Sequence, residues 1–215
     1  MAFKSSFSNI GSTPLSPASP IPCTRKSTAV VIDGSALNLW KLRCGVRNLC
    51  QASFIDSIVP ATCRVDSVEI HFGVQYPNHP NFNPQFDKDT RKFFAALERA
   101  DSRWKVVLGR IQVKAGGQYG QKQVDTAMAL SLHRKALLKE FDRLVFVGSD
   151  GDFVPVVKAV QEAGTPIVIA VPEFGGSACG VSKELLQQAG KGVIRIKESD
   201  FHAHAKTYMQ AAVAA

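Results

Sequence analysis

Residues 144–164 read LVFVGSDGDFVPVVKAVQEAG, and how this stretch is read decides the fold. Leu144–Val147 is an unbroken apolar run of the kind seen in a strand buried on both faces. Gly148 and Ser149 turn the chain, Asp150 and Asp152 follow, and an amphipathic helix then runs until Gly164 stops it. Pro155 suits the first helical turn, where its missing N–H loses no partner, and Asp152 is the expected N-cap. Two carboxylates are therefore expected at the carboxyl end of a buried strand, where open α/β sheets place their ligands. Capping requires one acid. A second beside it points to a divalent cation, because crowded like charges repel without one.

Working outward, apolar runs and amphipathic helices keep alternating. Thr28–Ile32 is another apolar strand, ending at Asp33-Gly34, with helices expected over 35–43 and 48–59. Val65–Val74 alternates, with Val68, Ile70, Phe72 and Val74 on one face and Glu69 and His71 on a wetter one. A helix over 87–100 with Phe93, Phe94 and Leu97 inward, a strand over 104–113 and a helix over 124–139 follow. Strands at 166–171 and 192–196 flank a short helix at 182–189. The pattern predicts an α/β fold: a Rossmann-like three-layer sandwich, its mostly parallel sheet carrying helices on both faces. Residues 1–27, rich in Ser and Pro and free of acids, read as a disordered tail, 28–200 as the domain, and 201–215 as a weakly patterned C-terminal tail. His202 and His204 are assigned no role.

The formal charge of +8 suggests a polyanionic partner. Much of it is local: Arg103, Lys105, Arg110, Lys114, Lys122, Arg134, Lys135 and Lys139 face a single acid, Asp125, between residues 102 and 139. Clustered Lys and Arg are what a phosphate backbone requires. No apolar run approaches the roughly 18 residues of a membrane helix, so a soluble, cytoplasmic protein is expected. Cys23, Cys44, Cys50, Cys63 and Cys179 contain no C-x-x-C pair and read as free thiols, a zinc site from Cys44, Cys50 and Cys63 being the alternative. In YPNHPNFNPQF, residues 76–86, the rings of Tyr76, His79, Phe82 and Phe86 either stack on bases or pin the loop to the body. KAGGQYGQK, residues 114–122, is a Gly-rich loop with basic ends, which reads either as a phosphate approach or as a connector.

Asp125 stands in helical register with Met128, Ala129, Leu132 and Ala136 and so is expected on the buried face, which costs several kcal/mol unless the acid is paired or binds metal. If the strands ending at Asp33 and before Asp150 are adjacent, then Asp33, Asp125, Asp150 and Asp152 meet at one rim of the sheet.

The segments VVIDGS (30–35), KQVDTAMAL (122–130), VGSDGDFVPVVKAVQEAG (147–164) and VSKELLQQAG (181–190) resemble the NYN domain family, within the PIN-like nuclease superfamily, over about Val30–Ile196. The resemblance implies a ribonuclease dependent on Mg²⁺ or Mn²⁺, acting on RNA, single-stranded first and DNA as the alternative. A homo-oligomer is compatible with it. It implies that Asp33, Asp125, Asp150 and Asp152 hold one or two metal ions, and that Lys122, Ser35, Asn38, Ser149, Lys114 and Arg110 contact substrate. Cleavage by metal-activated water would leave a 5′-phosphate and a 3′-hydroxyl. Two positions depart from the pattern: Ala36 stands where the family often has Asn, and Ser131 where many members carry an acid. The alternatives are a non-catalytic RNA-binding or partner-docking module of the same fold, and a haloacid-dehalogenase-type phosphatase, suggested by the D-x-D-x-V at Asp150–Val154.

Overall fold

β1 (Lys26–Asp33) forms the middle of the sheet because its central run, Ala29–Ile32, has no polar side chain that needs water. Ala29, Val30, Val31 and Ile32 are all fully buried, and successive residues face opposite helical layers. The computed structural model describes residues 25–77, 79–113, 119–175 and 180–206. After β1 come α1 (Gly34–Arg43), α2 (Gln51–Ile58), β2 (Cys63–Val74), α3 (Pro84–Ala100), β3 (Trp104–Val113), β4 (Tyr119–Lys122) and α4 (Val124–Leu138). β5 (Arg143–Val147) is followed by a 3₁₀ turn (Gly151–Phe153), α5 (Val154–Glu162), β6 (Ile167–Glu173), α6 (Lys183–Ala189), β7 (Val193–Lys197) and α7 (Glu198–Ala203).

The strands lie in the order β4-β3-β2-β1-β5-β6-β7, parallel throughout except for β4, which runs antiparallel to β3. Leu37 and Trp40 of α1, Phe54 and Ile55 of α2, Phe94 of α3 and Phe201 of α7 pack on one face. Val124, Met128, Leu132 and Ala136 of α4, Val157 and Val160 of α5, and Leu185 of α6 pack on the other. This is the three-layer α/β sandwich that the alternation of strands and helices predicts. The chain leaves β1 toward β2 and leaves β5 toward β6, so these neighbours form the switch point of the sheet, with a crevice above their carboxyl ends.

Outside the site, the structure departs from the sequence reading in four places. β4 occupies the end of the presumed loop at 114–122, pairing Lys122 with Arg110 and Tyr119 with Val113; a four-residue strand is too short to show a period. The supposedly wetter face of β2 is buried, Glu69 at 4% and His71 at 1% exposure, because α4 packs over it and Lys135 neutralises the acid. On α3 Phe94 is buried and Leu97 packs half-buried against the same core, as expected, but Phe93 is 49% exposed. The packed chain also continues past residue 200. α7 places Phe201 against Phe54, ring centroids 4.9 Å apart, Leu49 forms a bridge with Ala205, and Ser53 Oγ lies 3.0 Å from His204 Nδ1. Phe201→Ala is therefore expected to cost about 3–5 kcal/mol of unfolding free energy, read as a lower urea midpoint with an unchanged slope.

Candidate active site

Two of the expected acids cap helices. Asp33 closes β1, and its Oδ1 accepts hydrogen bonds from the N–H groups of Ser35 (2.9 Å) and Ala36 (3.0 Å) at the start of α1. Gly34 makes this possible: a Cβ there would lie 2.7 Å from the carbonyl oxygen of His71, so only glycine lets α1 begin so close to β2. Asp150, three residues beyond β5, accepts from the Asp152 N–H at 3.0 Å and starts the 3₁₀ turn. The capping acid is thus Asp150, not Asp152. Asp152 lies within the turn, exposed, and α5 begins at Val154 with Pro155 in its first turn.

Asp125 is in the first turn of α4 but not on its buried face. That face is Val124, Met128, Leu132 and Ala136: the last three are buried as expected, but Val124 and not Asp125 continues them, and Asp125 is exposed at the rim. Gln123 precedes it in the left-handed region, φ 75°, a conformation that costs a non-glycine residue roughly 1–3 kcal/mol and that turns the chain from β4 into α4 beside this acid.

The four carboxylates act on one another electrostatically. Burial pushes the Asp33 carboxyl above the usual range; the N–H groups of Ala36 and Ser35 pull it back, and Asp125 and Asp150 raise it again. Burial also raises Asp125, assisted by Asp150 and Asp152. Although Asp125 is exposed to solvent on one side, it is therefore close enough to three acids to feel their charge. Asp33 and Asp150 face each other across an open cleft of about 490 Å³, with Ser35 beside the first and Ser149 and Gly151 beside the second. Asp125 and Asp152 stand outside the cleft lining. Among the described residues no three acids are close enough to make a ready-made cage. Such a donor set suits a hard cation that keeps most of its own water, taking one or two carboxylates directly and the others through water.

The proposed substrate contacts divide. Ser35 and Ser149 line the cleft. Asn38 does not; it lies about 200° round α1 from Ala36, and it is Ala36 that faces the cleft. Arg110 is exposed at the upper end of β3, two strands from β1, with its guanidinium 4.5 Å from the centre of the Tyr76 ring. Lys122 pairs with it through the backbone, but the Lys122 side chain and all of Lys114 lie outside the described residues. Among the described residues the basic run does not survive as one surface. Arg103 is tied to Asp56 (2.8 Å) and Asp101 (2.6 Å), Lys135 to Glu69 (3.0 Å), and Lys139 to the Ala163 carbonyl and Thr165. Of the aromatics expected in the loop, His79 is buried and accepts the Asn81 N–H, so it anchors the loop; Phe86 lies in the first turn of α3, which begins at Pro84, and is 55% exposed.

The reading by residue type missed a buried polar group behind the site. Glu69 accepts Lys135 Nζ at 3.0 Å and lies 2.9 Å from His71 Nε2. Burial pushes its carboxyl up, but His71 and Lys135 outweigh burial and hold it down at about 2. Ser131 faces the same group, so an acid at that position would oppose Glu69. The departure at 131 and the buried pair are one feature. A lysine four residues after Ser131 on the same helix face was the available clue.

The NYN domain family model matches residues 27–193. Among solved structures, a protein of unknown function from Vibrio parahaemolyticus is similar, with a TM-score of 0.57 and 17% identity over 83% of this chain and 96% of that one. This is a likeness of fold. No curated protein matches the chain. NYN domains are nuclease-like, nucleic-acid-acting domains in which divalent metals are usual.

Proposed function

The chain belongs to the NYN domain family, and on that premise we propose that it is a Mg²⁺- or Mn²⁺-dependent ribonuclease hydrolysing single-stranded RNA at the cleft between Asp33 and Asp150. What supports the reading most is that Asp33 and Asp150 line one open, serine-lined cleft, where burial raises the Asp33 carboxyl and the charges of Asp125 and Asp150 add to it. Such a group of charges gains from a cation and is costly without one.

Asp33 and Asp150 would hold the ion, with Asp125 and Asp152 reaching it through water. When bound, the metal lowers the pKa of an attached water and neutralises charge on the phosphate. The chain does the rest. The two N–H groups on Asp33 Oδ1 fix that carboxylate, and Oδ2 is the oxygen left for the ion. Ser35 and Ser149 are placed to donate to non-reacting phosphate oxygens. Asp125, raised and exposed, is the carboxylate best suited to take the water's proton. The water oxygen forms a bond to phosphorus, the bond from phosphorus to O3′ breaks, and O3′ takes a proton from solvent, leaving a 5′-phosphate and a 3′-hydroxyl.

The test is incubation of single-stranded RNA with stoichiometric protein and Mg²⁺ or Mn²⁺, with end-group analysis of the products. New 5′-phosphate ends, abolished by chelation, are expected. Intact RNA with both ions overturns the catalytic reading and leaves a binding module. In a titration of RNA binding at increasing salt, Lys122→Ala is expected to reduce the salt slope by about one unit; an unchanged slope removes Lys122 from the contact surface.

A further inference from the structure

The wall of the cleft formed by α1 has no part in holding an ion. Beyond Asp33 and Ser35 it consists of Ala36 and Leu39. Leu39 is 51% exposed, although α1 already buries Leu37 and Trp40 on its other side. Leu42, also 51% exposed, and Arg43 continue the strip. At about 100° per residue, positions 36, 39, 42 and 43 span about a third of the helix circumference. Arg43 closes the far end: its Nη1 is 4.0 Å from where a Cβ on Gly180 would lie, and Gly180 lines the cleft opposite α1.

Leaving the acids, a strand therefore meets an apolar surface and then a guanidinium, over about 10 Å of helix at 1.5 Å per residue. That order matches the chemistry of a nucleic-acid strand: a phosphodiester at the acids, a base face on the leucines, the next phosphate at the arginine. Resting on the nuclease reading and extending it, we propose that Ala36, Leu39 and Leu42 form a ledge for the unpaired base beside the scissile phosphate. The ledge selects single strands. A base within a duplex is paired and stacked on both faces, and reaching Leu39 would require it to be unpaired first.

The experiment is a double-mutant cycle between protein and RNA. Single-stranded oligonucleotides carrying one abasic ribose, moved a position at a time, are bound to wild type and to Leu39→Ala with Ca²⁺, which holds phosphate in a looser geometry than Mg²⁺. Leu39 is exposed, so the variant keeps the fold. At one position the abasic substitution is expected to weaken wild-type binding roughly five- to tenfold. Leu39→Ala should weaken binding of the intact strand similarly and be insensitive to the abasic ribose at that position. Equal abasic losses in both proteins at every position overturn the ledge, whatever the cleavage assay shows. A coupled cycle with no cleavage under Mg²⁺ or Mn²⁺ supports the ledge and removes the nuclease reading. A wild type that binds no RNA overturns both.

Discussion

Asp150→Asn is expected to lower metal-dependent cleavage about a thousandfold and to leave the fold intact. A bound divalent ion contributes several kcal/mol of transition-state stabilisation, and each 1.4 kcal/mol is a factor of ten in rate. Removing one of its two inner carboxylates forfeits most of that. Stability should change little, because an Asn oxygen can accept the Asp152 N–H as Asp150 does. Asp33→Asn should behave likewise in activity and go further in stability. Its raised carboxyl means the ion-free fold favours the protonated form, so charged Asp33 costs stability that grows as pH rises past the unfolded carboxylate pKa. At neutral pH and without metal, Asp33→Asn should melt at or above the wild-type temperature. Added Mg²⁺ should raise the wild-type melting temperature more at pH 7 than at pH 4, and that of Asp33→Asn hardly at all. Cleavage by Asp150→Asn within tenfold of wild type, at matched metal concentration, would remove this aspartate from the reaction.

The second large effect lies behind the site. Lys135→Met is expected to destabilise the protein by about 3–5 kcal/mol, since it leaves Glu69 charged and buried with His71 and Ser131 beside it and the exposed Lys105 ammonium no nearer than 3.9 Å. Glu69→Gln combined with Lys135→Met should recover part of the loss, because the double change leaves no uncompensated charge and Gln still reaches His71. A double variant less stable than Lys135→Met alone would show that the Glu69 charge is tolerated without Lys135, and would overturn this account. The pH dependence follows from the direction of the shift. Glu69 is held at about 2 when folded against 4.5 when free, so its contribution, roughly 3 kcal/mol, is complete above pH 4.5 and is lost as pH falls from 4.5 to 2. In the Glu69→Gln variant the stability curve should be flatter across that interval.

The fold was legible because long-range architecture depends on patterns that survive in one dimension. Fully apolar runs at Ala29–Ile32 and Leu144–Val147 require cover on both faces, and the helices between them dictate parallel order. What escaped depends on neighbours distant in sequence. Glu69 and His71 look like a solvent face until α4 brings Lys135 over them. Arg103 and Lys139 look like phosphate ligands until their own partners appear. Asp125 was read one position out of phase because the alanine at 129 and the methionine at 128 fit two adjacent helical faces equally, and only packing chose Val124 and Met128. The acids at the ends of β1 and β5 were easier: their positions follow from strand ends, and strand ends are marked by glycine at 34 and 148.

β1 carries Lys26 at one end and Asp33 at the other, about 23 Å apart at 3.3 Å per residue. Lys26 donates its N–H to the Thr62 carbonyl, and Ser27 is fastened to Asp142, both at the edge of the sheet remote from the acids. Any cargo, surface or affinity handle joined directly to Lys26 therefore attaches on the side away from the cleft, and protein immobilised through that junction should present its mouth to the solution.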